Sequence, residues 1–141
     1  MKKIYISSDH AGFKLKELIK SYLIKRNFNY FDLGPDNGDR VDYPDYAHKV
    51  AKKVKKSKNH IGILVCGSGI GMNIAANRHK NIRAAQCSNT MSTKLSRLHN
   101  DANIITLGSR ILSKNNALKC VSIFLSTKFE GGRHAKRIKK I

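Results

Sequence analysis

The stretch from Ile61 to Asn77 constrains the fold of this chain more than any other. It begins with the apolar run Ile-Gly-Ile-Leu-Val, which is too short for a helix and is typical of a strand buried on both faces of a parallel sheet. Cys66 follows at the carboxyl end of this strand, and glycines at 67, 69 and 71 allow the backbone to turn tightly and to approach a ligand. The small residues at 73–77 favour a helix. The stretch therefore predicts a thiol beside a loop of amides and a helix N-terminus, an arrangement that can hold an anion.

Cys66 also has a purely structural interpretation. Cysteines often serve as small buried apolar residues, and a single glycine-rich turn often only reverses the chain. For the cysteine alone we would favour that interpretation. Its combination with three glycines at alternate positions favours a functional thiol, because a base or nucleophile beside an anion-binding loop is a catalytic arrangement.

Length and cysteine content limit the class of protein. A chain of 141 residues suffices for one domain with an ordinary core, and we expect residues 1–141 to form it. The three cysteines are odd in number and far apart in sequence, which fits neither a disulfide framework nor a zinc site. No apolar run is long enough to span a bilayer, and Met-Lys-Lys-Ile at the start leads directly into a strand pattern. We therefore expect a cytoplasmic protein without a membrane partner.

The formal net charge of +19 raises nucleic-acid binding as a rival hypothesis. Many of the lysines, however, including Lys14, Lys16 and Lys20, alternate with apolar stripes in two amphipathic segments, as on solvated helix faces. The sequence contains no zinc finger, basic zipper or RNA-recognition strand motif. We therefore expect no specific nucleic-acid partner, only a general affinity for polyanions at low salt.

Strand and helix patterns alternate along the whole chain. Predicted strands lie at 2–7, 30–33, 61–66, 82–87 and 102–107, and predicted helices at 11–23, 42–54, 73–77, 89–99, 116–127 and 133–140. The second helix presents an apolar stripe that begins at Tyr43, and the last helix is basic. The pattern predicts an α/β fold, a doubly wound five-stranded parallel sheet of Rossmann or flavodoxin-like order 2-1-3-4-5, with a basic C-terminal helix.

This strand order has a consequence for the site. Strands 1 and 3 become neighbours at the switch point of the sheet, where ligands bind beyond the carboxyl ends of the strands. Asp9 and His10, which follow strand 1, should therefore face Cys66 and Gly67 at the end of strand 3. An acid, an imidazole, a thiol and an anion-binding loop would converge there.

Spacing excludes several familiar sites. Met72 occupies the position at which a cysteine phosphatase needs arginine, and Gly69 that of the second cysteine of a thioredoxin motif. The glycine run does not end in the Gly-Lys-Ser/Thr of a P-loop, and the first strand lacks the dinucleotide fingerprint. Only nine acids occur, and they do not cluster at ligand spacing, so we expect neither a metal nor a cofactor. The site type left after these exclusions is a base beside an oxyanion hole. Such a site can abstract a proton next to a carbonyl and hold the resulting enediolate.

The motifs together are similar to those of ribose-5-phosphate isomerase of type B, in a family that also includes the galactose-6-phosphate isomerase subunits. The resemblance covers essentially the whole chain, in order and without large insertions. The matching segments are Ser-Asp-His-Ala-Gly-Phe at 8–13, Asp-Tyr-Pro-Asp-Tyr-Ala at 42–47, the glycine-rich run at 66–77, Ile-Arg-Ala-Ala at 82–85, residues 95–103, Leu-Gly-Ser-Arg at 107–110, and residues 129–137.

The resemblance implies roles at the reacting end of a sugar. Cys66 matches the general base that moves a proton between C2 and C1 of the open-chain sugar. Ser68 stands where many members have threonine, so the hydroxyl is kept. His99 matches the residue that opens the furanose ring, and Asn100 one that binds a hydroxyl. The developing enediolate oxygen would be held by the loop amides of Gly67, Gly69, Ile70 and Gly71.

The resemblance also implies how the rest of the substrate is bound. Asp9 and His10 match sugar-binding positions, and a phosphate would be held by Arg110, Arg133 and Arg137. Arg133 and Arg137 share one helix face, although without the resemblance a solvated basic tail would explain them equally well. The family is dimeric or tetrameric, with sites shared between subunits, which implies that His99 reaches the partner's Cys66 and that a monomer is inactive.

The resemblance implies an aldose–ketose isomerase that interconverts D-ribose 5-phosphate and D-ribulose 5-phosphate through a cis-enediol. A six-carbon sugar phosphate such as allose 6-phosphate or galactose 6-phosphate is the alternative substrate, because one extra hydroxymethylene changes discrimination by only about 1–3 kcal/mol. A third hypothesis, motivated by the +19 charge, is a module that only binds polyanions.

Overall fold

The computed structural model describes all 141 residues, which form five strands and six helices. In chain order these are β1 (Lys3–Ser8), α1 (Phe13–Lys25), β2 (Tyr30–Asp32), α2 (Tyr43–Val54), β3 (His60–Cys66), α3 (Ile70–Ala76), β4 (Ala84–Gln86), α4 (Thr90–Asn100), β5 (Ile104–Gly108), α5 (Lys114–Ser126) and α6 (Arg133–Ile138). The predicted elements are all present, with shifted ends. None of the helices is both long and apolar enough to cross a bilayer.

The strands form one parallel sheet in the order β2-β1-β3-β5-β4. The α/β class, the parallel sheet and the central β1–β3 pair are confirmed, but the predicted order of the last two strands is wrong. The reason lies in their composition. β5 is apolar and wholly buried, so it takes the central place beside β3, whereas β4 has only three half-buried residues and lies at the edge.

Helices cover both faces of the sheet. On one face α1 and α5 contribute apolar side chains such as Ile19, Leu23 and Phe124, which pack with Ile6 and Ile63 of the sheet. On the other face the side chains come from α2 and α3, among them Val50, Ala51 and Met72. Cys87 and Cys120 are buried in the first of these cores, where they fill space as small apolar side chains.

Lys16 departs from the sequence-based interpretation of a solvated helix face. Its side chain is completely buried, and its ammonium group donates to both carboxylate oxygens of Asp32, at 2.9 and 3.0 Å, and to the carbonyl of Pro35 at 2.6 Å. A buried charge is tolerated when it is paired and hydrogen-bonded, as here. The apolar stripe of α1 therefore contains one lysine that fastens the helix to β2.

Candidate active site

The carboxyl ends of β1 and β3 meet as the strand order predicts. Ser8 is paired with Val65, and the next amide, that of Asp9, donates to the carbonyl of Val65 at 3.1 Å. A cavity of about 260 Å³ opens at this edge of the sheet. It is lined by Asp9, Tyr43, Cys66, Gly67, Ser68, Gly71, Arg110 and Ile111. The chain therefore gathers an acid, a thiol, a glycine-rich loop and an arginine around one space.

Cys66 is buried, and its sulfur lies against the glycine-rich loop. The amide of Gly69 donates a hydrogen bond to Sγ at 3.1 Å. Gly69 adopts a left-handed backbone with φ of 76°, and a Cβ at this position would lie 2.9 Å from the carbonyl carbon of Leu107. Only glycine can therefore hold this turn without strain. The same turn presents an N–H donor to the sulfur and fixes its position.

The loop is fixed by further hydrogen bonds at its ends. Ser68 Oγ accepts from the amide of Ile70 at 3.1 Å, and the Ser68 carbonyl accepts from the side-chain amide of Gln86 at 3.3 Å. The amide of Arg110 donates to the carbonyl of Gly67 at 2.9 Å. The turn after β5 is thus attached to the loop after β3, and both are held in one arrangement.

Asp9 and Arg110 supply opposite charges to the cavity. Asp9 is buried, and its Oδ1 accepts from the amide of Gly12 at 2.9 Å, which fixes the carboxylate at the start of α1. The guanidinium of Arg110 is exposed, lies over Gly67 and forms no ion pair within the chain. Arg110 is therefore free to bind an external anion such as a phosphate.

Tyr43 and Ile111 line the cavity but were not predicted as site residues. Tyr43 had been assigned to the core-facing stripe of α2, yet its side chain remains exposed while Ala47 and Val50 on the same helix are buried. Its ring packs so closely on Gly71 that a Cβ there would lie 2.7 Å from it. The segment Asp-Tyr-Pro-Asp-Tyr-Ala at 42–47 was the available signal for Tyr43, whereas nothing marked Ile111.

His10 lies near this edge but does not line the cavity. Its Nδ1 accepts a hydrogen bond from the amide of Val41 at 3.3 Å, which assigns the proton of a neutral ring to Nε2. The imidazole thereby connects the end of β1 to the loop before α2. Asp9 therefore lines the same cavity as Cys66, as predicted. His10 directly follows Asp9 in the sequence but does not line that cavity.

The remaining predicted residues form a second group, at the end of α4 and on α6. These are His99, Asn100, Arg133 and Arg137, and none of them lines the cavity that contains Cys66 in the same chain. The ring of His99 stacks on that of His134, with centroids 4.2 Å apart and planes at 14°. Glu130 lies 3.8 Å from the Nε2 atom of each ring.

The second group is rich in positive charge. Burial lowers the pKa of His134, and His99 and Arg133 lower it further, while Glu130 opposes them. His134 is therefore predominantly neutral at pH 7, and its Nε2 is buried without a hydrogen-bond partner. His99, Glu130 and His134 bring potential ligand atoms within 4.8 Å of one another, but a set with one carboxylate does not suit a hard cation.

Comparison with known proteins gives consistent matches over the whole chain. Residues 4–141 match the family described as Ribose/Galactose Isomerase. The chain is 43% identical over 141 residues to ribose-5-phosphate isomerase B of Escherichia coli K12, covering 100% of this chain and 95% of that protein. Ribose-5-phosphate isomerase B of Clostridium thermocellum has a TM-score of 0.95 and 46% identity, with 98% and 93% of the two chains covered. The Mycoplasma genitalium enzyme, solved with bound ribulose-5-phosphate, has a TM-score of 0.95 and 44% identity, with 98% and 92% covered.

Proposed function

Because the chain belongs to the ribose/galactose isomerase family, as its motifs predicted, we propose that it interconverts D-ribose 5-phosphate and D-ribulose 5-phosphate. It is then an aldose–ketose isomerase of the non-oxidative pentose phosphate pathway. The observation that carries the proposal is the cavity in which Cys66 and the glycine-rich loop meet Asp9 and Arg110. The Mycoplasma genitalium structure with bound ribulose-5-phosphate favours a pentose phosphate as substrate.

Cys66 and the glycine-rich loop have defined parts in this reaction. The thiolate of Cys66 removes the proton from C2 of the open-chain aldose, and the electron pair forms the C1–C2 double bond as negative charge moves to the oxygen on C1. Amides of the loop between Gly67 and Gly71 stabilise this enediolate. The proton of the C2 hydroxyl passes to the oxygen on C1, which leaves the negative charge on the oxygen on C2. The same sulfur then returns its proton to C1 as the C2–O double bond of the ketone forms, and the thiolate is regenerated. No atoms are gained or lost.

We infer that two copies of the chain complete the site. His99, Arg133 and Arg137 lie outside the cavity of their own chain, so the steps assigned to them, ring opening and phosphate binding, need a second subunit. Several large apolar side chains of α3, of α4 and of the turn after β5 are exposed, as expected for a surface that a partner covers. These are Ile70 and Ile74 of α3, Met91 and Leu95 of α4, and Ile111.

The proposal is tested by proton NMR of ribose 5-phosphate in D₂O with the purified protein and EDTA. We expect ribulose 5-phosphate to appear with deuterium at the exchanged carbon. In Cys66→Ala the rates of ribulose 5-phosphate formation and of deuterium incorporation should both fall by about 10²–10⁴-fold, the usual contribution of a general base. Cys87→Ala removes another buried thiol and should retain activity. Loss of activity in both variants, or in neither, would count against Cys66 as the base.

A six-carbon sugar phosphate is the second candidate substrate, because the matching family is described by both ribose and galactose. The same assay with allose 6-phosphate and galactose 6-phosphate compares kcat/KM among the three substrates. We expect the pentose to be preferred. A higher kcat/KM for either hexose phosphate would replace ribose 5-phosphate as the substrate while leaving Cys66 as the base.

A further inference from the structure

A second cavity, of about 600 Å³, lies at the opposite edge of the sheet from the candidate active site. Lys2 directly precedes β1, Lys58 precedes β3 and Arg83 directly precedes β4, so all three stand at the amino ends of parallel strands. Cys66 and Arg110 stand at the carboxyl ends. We call this space the basic cavity, because its cationic lining residues are Lys2, Lys55, Lys56, Lys58, Arg83 and Arg97.

The chain does not neutralise these charges itself. Asp101 is the only carboxylate that lines the basic cavity, and it is already paired with Arg83 at 3.2 Å and with Arg97 at 2.8 Å. The four lysines of the cavity form no ion pair. Burial and the nearby Arg97 lower the pKa of Lys2, as expected where positive charge accumulates. Like charges held this close favour an external anion between them.

Arg97 distinguishes the basic cavity from a set of surface lysines. The residue is only 5% exposed, and its Nε and Nη1 atoms donate to the carbonyls of Thr127 and Ala102 and to Asp101. Its Nη2 makes no hydrogen bond within the chain and keeps some exposure to solvent. The guanidinium is thus fixed in place with one free nitrogen that retains access to solvent.

We propose that the basic cavity is a second binding site, for a small molecule that carries several adjacent phosphate groups. Its volume lies in the range of small-molecule sites, which is about 300–1,000 Å³. Ammonium and guanidinium groups are the usual partners of phosphate, and a single phosphate would leave most of these cations unpaired. The cations surround a concave space, which suits a compact ligand better than a nucleic-acid strand. The site goes beyond the isomerase reaction, whose substrate carries one phosphate.

Calorimetric titration of the wild-type protein with sodium tripolyphosphate tests this site at about 150 mM salt, where diffuse surface attraction is largely screened. We expect saturable binding that weakens at least about tenfold in the double variant Lys55→Gln/Lys58→Gln. Lys52→Gln/Lys53→Gln removes the same charge from α2, outside the cavity, and should change the affinity by less than about twofold. Isomerase activity should be unchanged in both.

Four outcomes would overturn the proposal, the first three of them in the calorimetric titration. They are no binding at this salt, an equal loss of affinity in the two double variants, and a loss in Arg133→Ala/Arg137→Ala instead, which would assign the anion to the isomerase site. A single-stranded RNA that binds more tightly and is not displaced by tripolyphosphate would identify a nucleic-acid surface and also overturn it.

The source of the phosphates is distinguished by a parallel titration with ATP. Phe129 is the one aromatic residue that lines the basic cavity. If ATP binds more tightly than tripolyphosphate and Phe129→Leu removes only that difference, the ligand is a nucleotide whose base stacks on the ring. Equal affinities, unaffected by Phe129→Leu, identify the phosphate chain itself as what is recognised.

Discussion

Gly69 is the residue on which the position of the Cys66 sulfur depends most directly. Its φ of 76° is unfavourable for other residues, and a Cβ would lie 2.9 Å from the backbone of Leu107. We expect Gly69→Ala to lower the free energy of unfolding by about 2–3 kcal/mol, through strain and backbone displacement together. Because its amide donates to Sγ, kcat should fall more than KM changes. Denaturant titration and steady-state kinetics measure the two effects.

Gly131 provides a matched control for Gly69. Its φ is also 76°, but an added Cβ would meet no other atom within 4 Å. Gly131→Ala should therefore show the conformational penalty alone, about 1 kcal/mol. If the two alanine variants lose the same stability, close packing against β5 is not what requires glycine at position 69.

Single residues of the cavity could be predicted from sequence where a local pattern marked them. Cys66 and the glycines follow an apolar run, and Asp9 and Arg110 follow strands that were recognised. Tyr43 could not be placed, because periodicity assigns a residue to a helix face but does not say what that face contacts at its first turn. In the proposed function, bringing His99 to Cys66 depends on a second chain, which no local pattern describes.

At the level of elements, α1 is attached to β2 by a buried ion pair. Lys16 and Lys20 of α1 both reach the carboxylate of Asp32, at 2.9 and 2.7 Å. Burial alone would raise the pKa of Asp32, but the hydrogen bonds from Lys20 and Lys16 prevail and hold it below its usual value of 3.8. An acid with a depressed pKa stabilises the fold above its unfolded pKa, and this stabilisation disappears as the pH falls through the folded value.

Asp32→Asn should therefore destabilise the protein in a pH-dependent way. At pH 7 the amide leaves the buried Lys16 without its hydrogen-bonded carboxylate, with only the exposed Glu17 nearby at 3.7 Å, and we expect a loss of about 3 kcal/mol in the free energy of unfolding. Below about pH 4 the difference from the wild type should begin to shrink, because Asp32 of the unfolded chain becomes protonated there and the folded carboxylate follows at a lower pH. Urea titrations between about pH 3 and about pH 7 measure both the loss of stability at neutral pH and its decrease at acid pH.

Glu17→Gln is the control on the same helix. Glu17 is exposed, pairs with Lys20 at 2.8 Å and lies 3.7 Å from the ammonium group of Lys16, too far for a hydrogen bond, so its neutralisation should change the stability by at most about 1 kcal/mol at any pH. A loss as large as that of Asp32→Asn would show that general charge balance on α1, rather than the buried pair, stabilises this contact.

The sequence predicted which segments form strands and helices better than it predicted which strands lie side by side in the sheet. Alternating strand and helix patterns identify a parallel α/β fold, and right-handed crossovers limit its topology. The patterns did not decide whether β4 or β5 lies beside β3. The strand that buries more of its residues takes the central position. Ile104–Gly108 is buried throughout and Ala84–Gln86 only half-buried, a difference that matters only when the two strands are weighed against each other for the position beside β3.

At the level of the whole molecule, each chain keeps its two groups of predicted site residues apart. Cys66 lies in the candidate active-site cavity, whereas His99 lies outside it and stacks on His134. In an isologous dimer each site would combine Cys66 of one subunit with His99 of the other. Exposed apolar side chains on α3 and α4 provide the surface for such a pairing.

This arrangement predicts complementation between inactive variants. Cys66→Ala and His99→Asn should each be inactive alone, since every site then lacks one group. When the two are unfolded, mixed in equal amounts and refolded, half of the dimers should be hybrids, and each hybrid contains one site with both native residues. The mixture should therefore regain about a quarter of wild-type activity, by random association of the subunits. If each chain instead carried its own complete site, the mixture would remain as inactive as its components, and recovery on mixing would be absent at every ratio of the two chains.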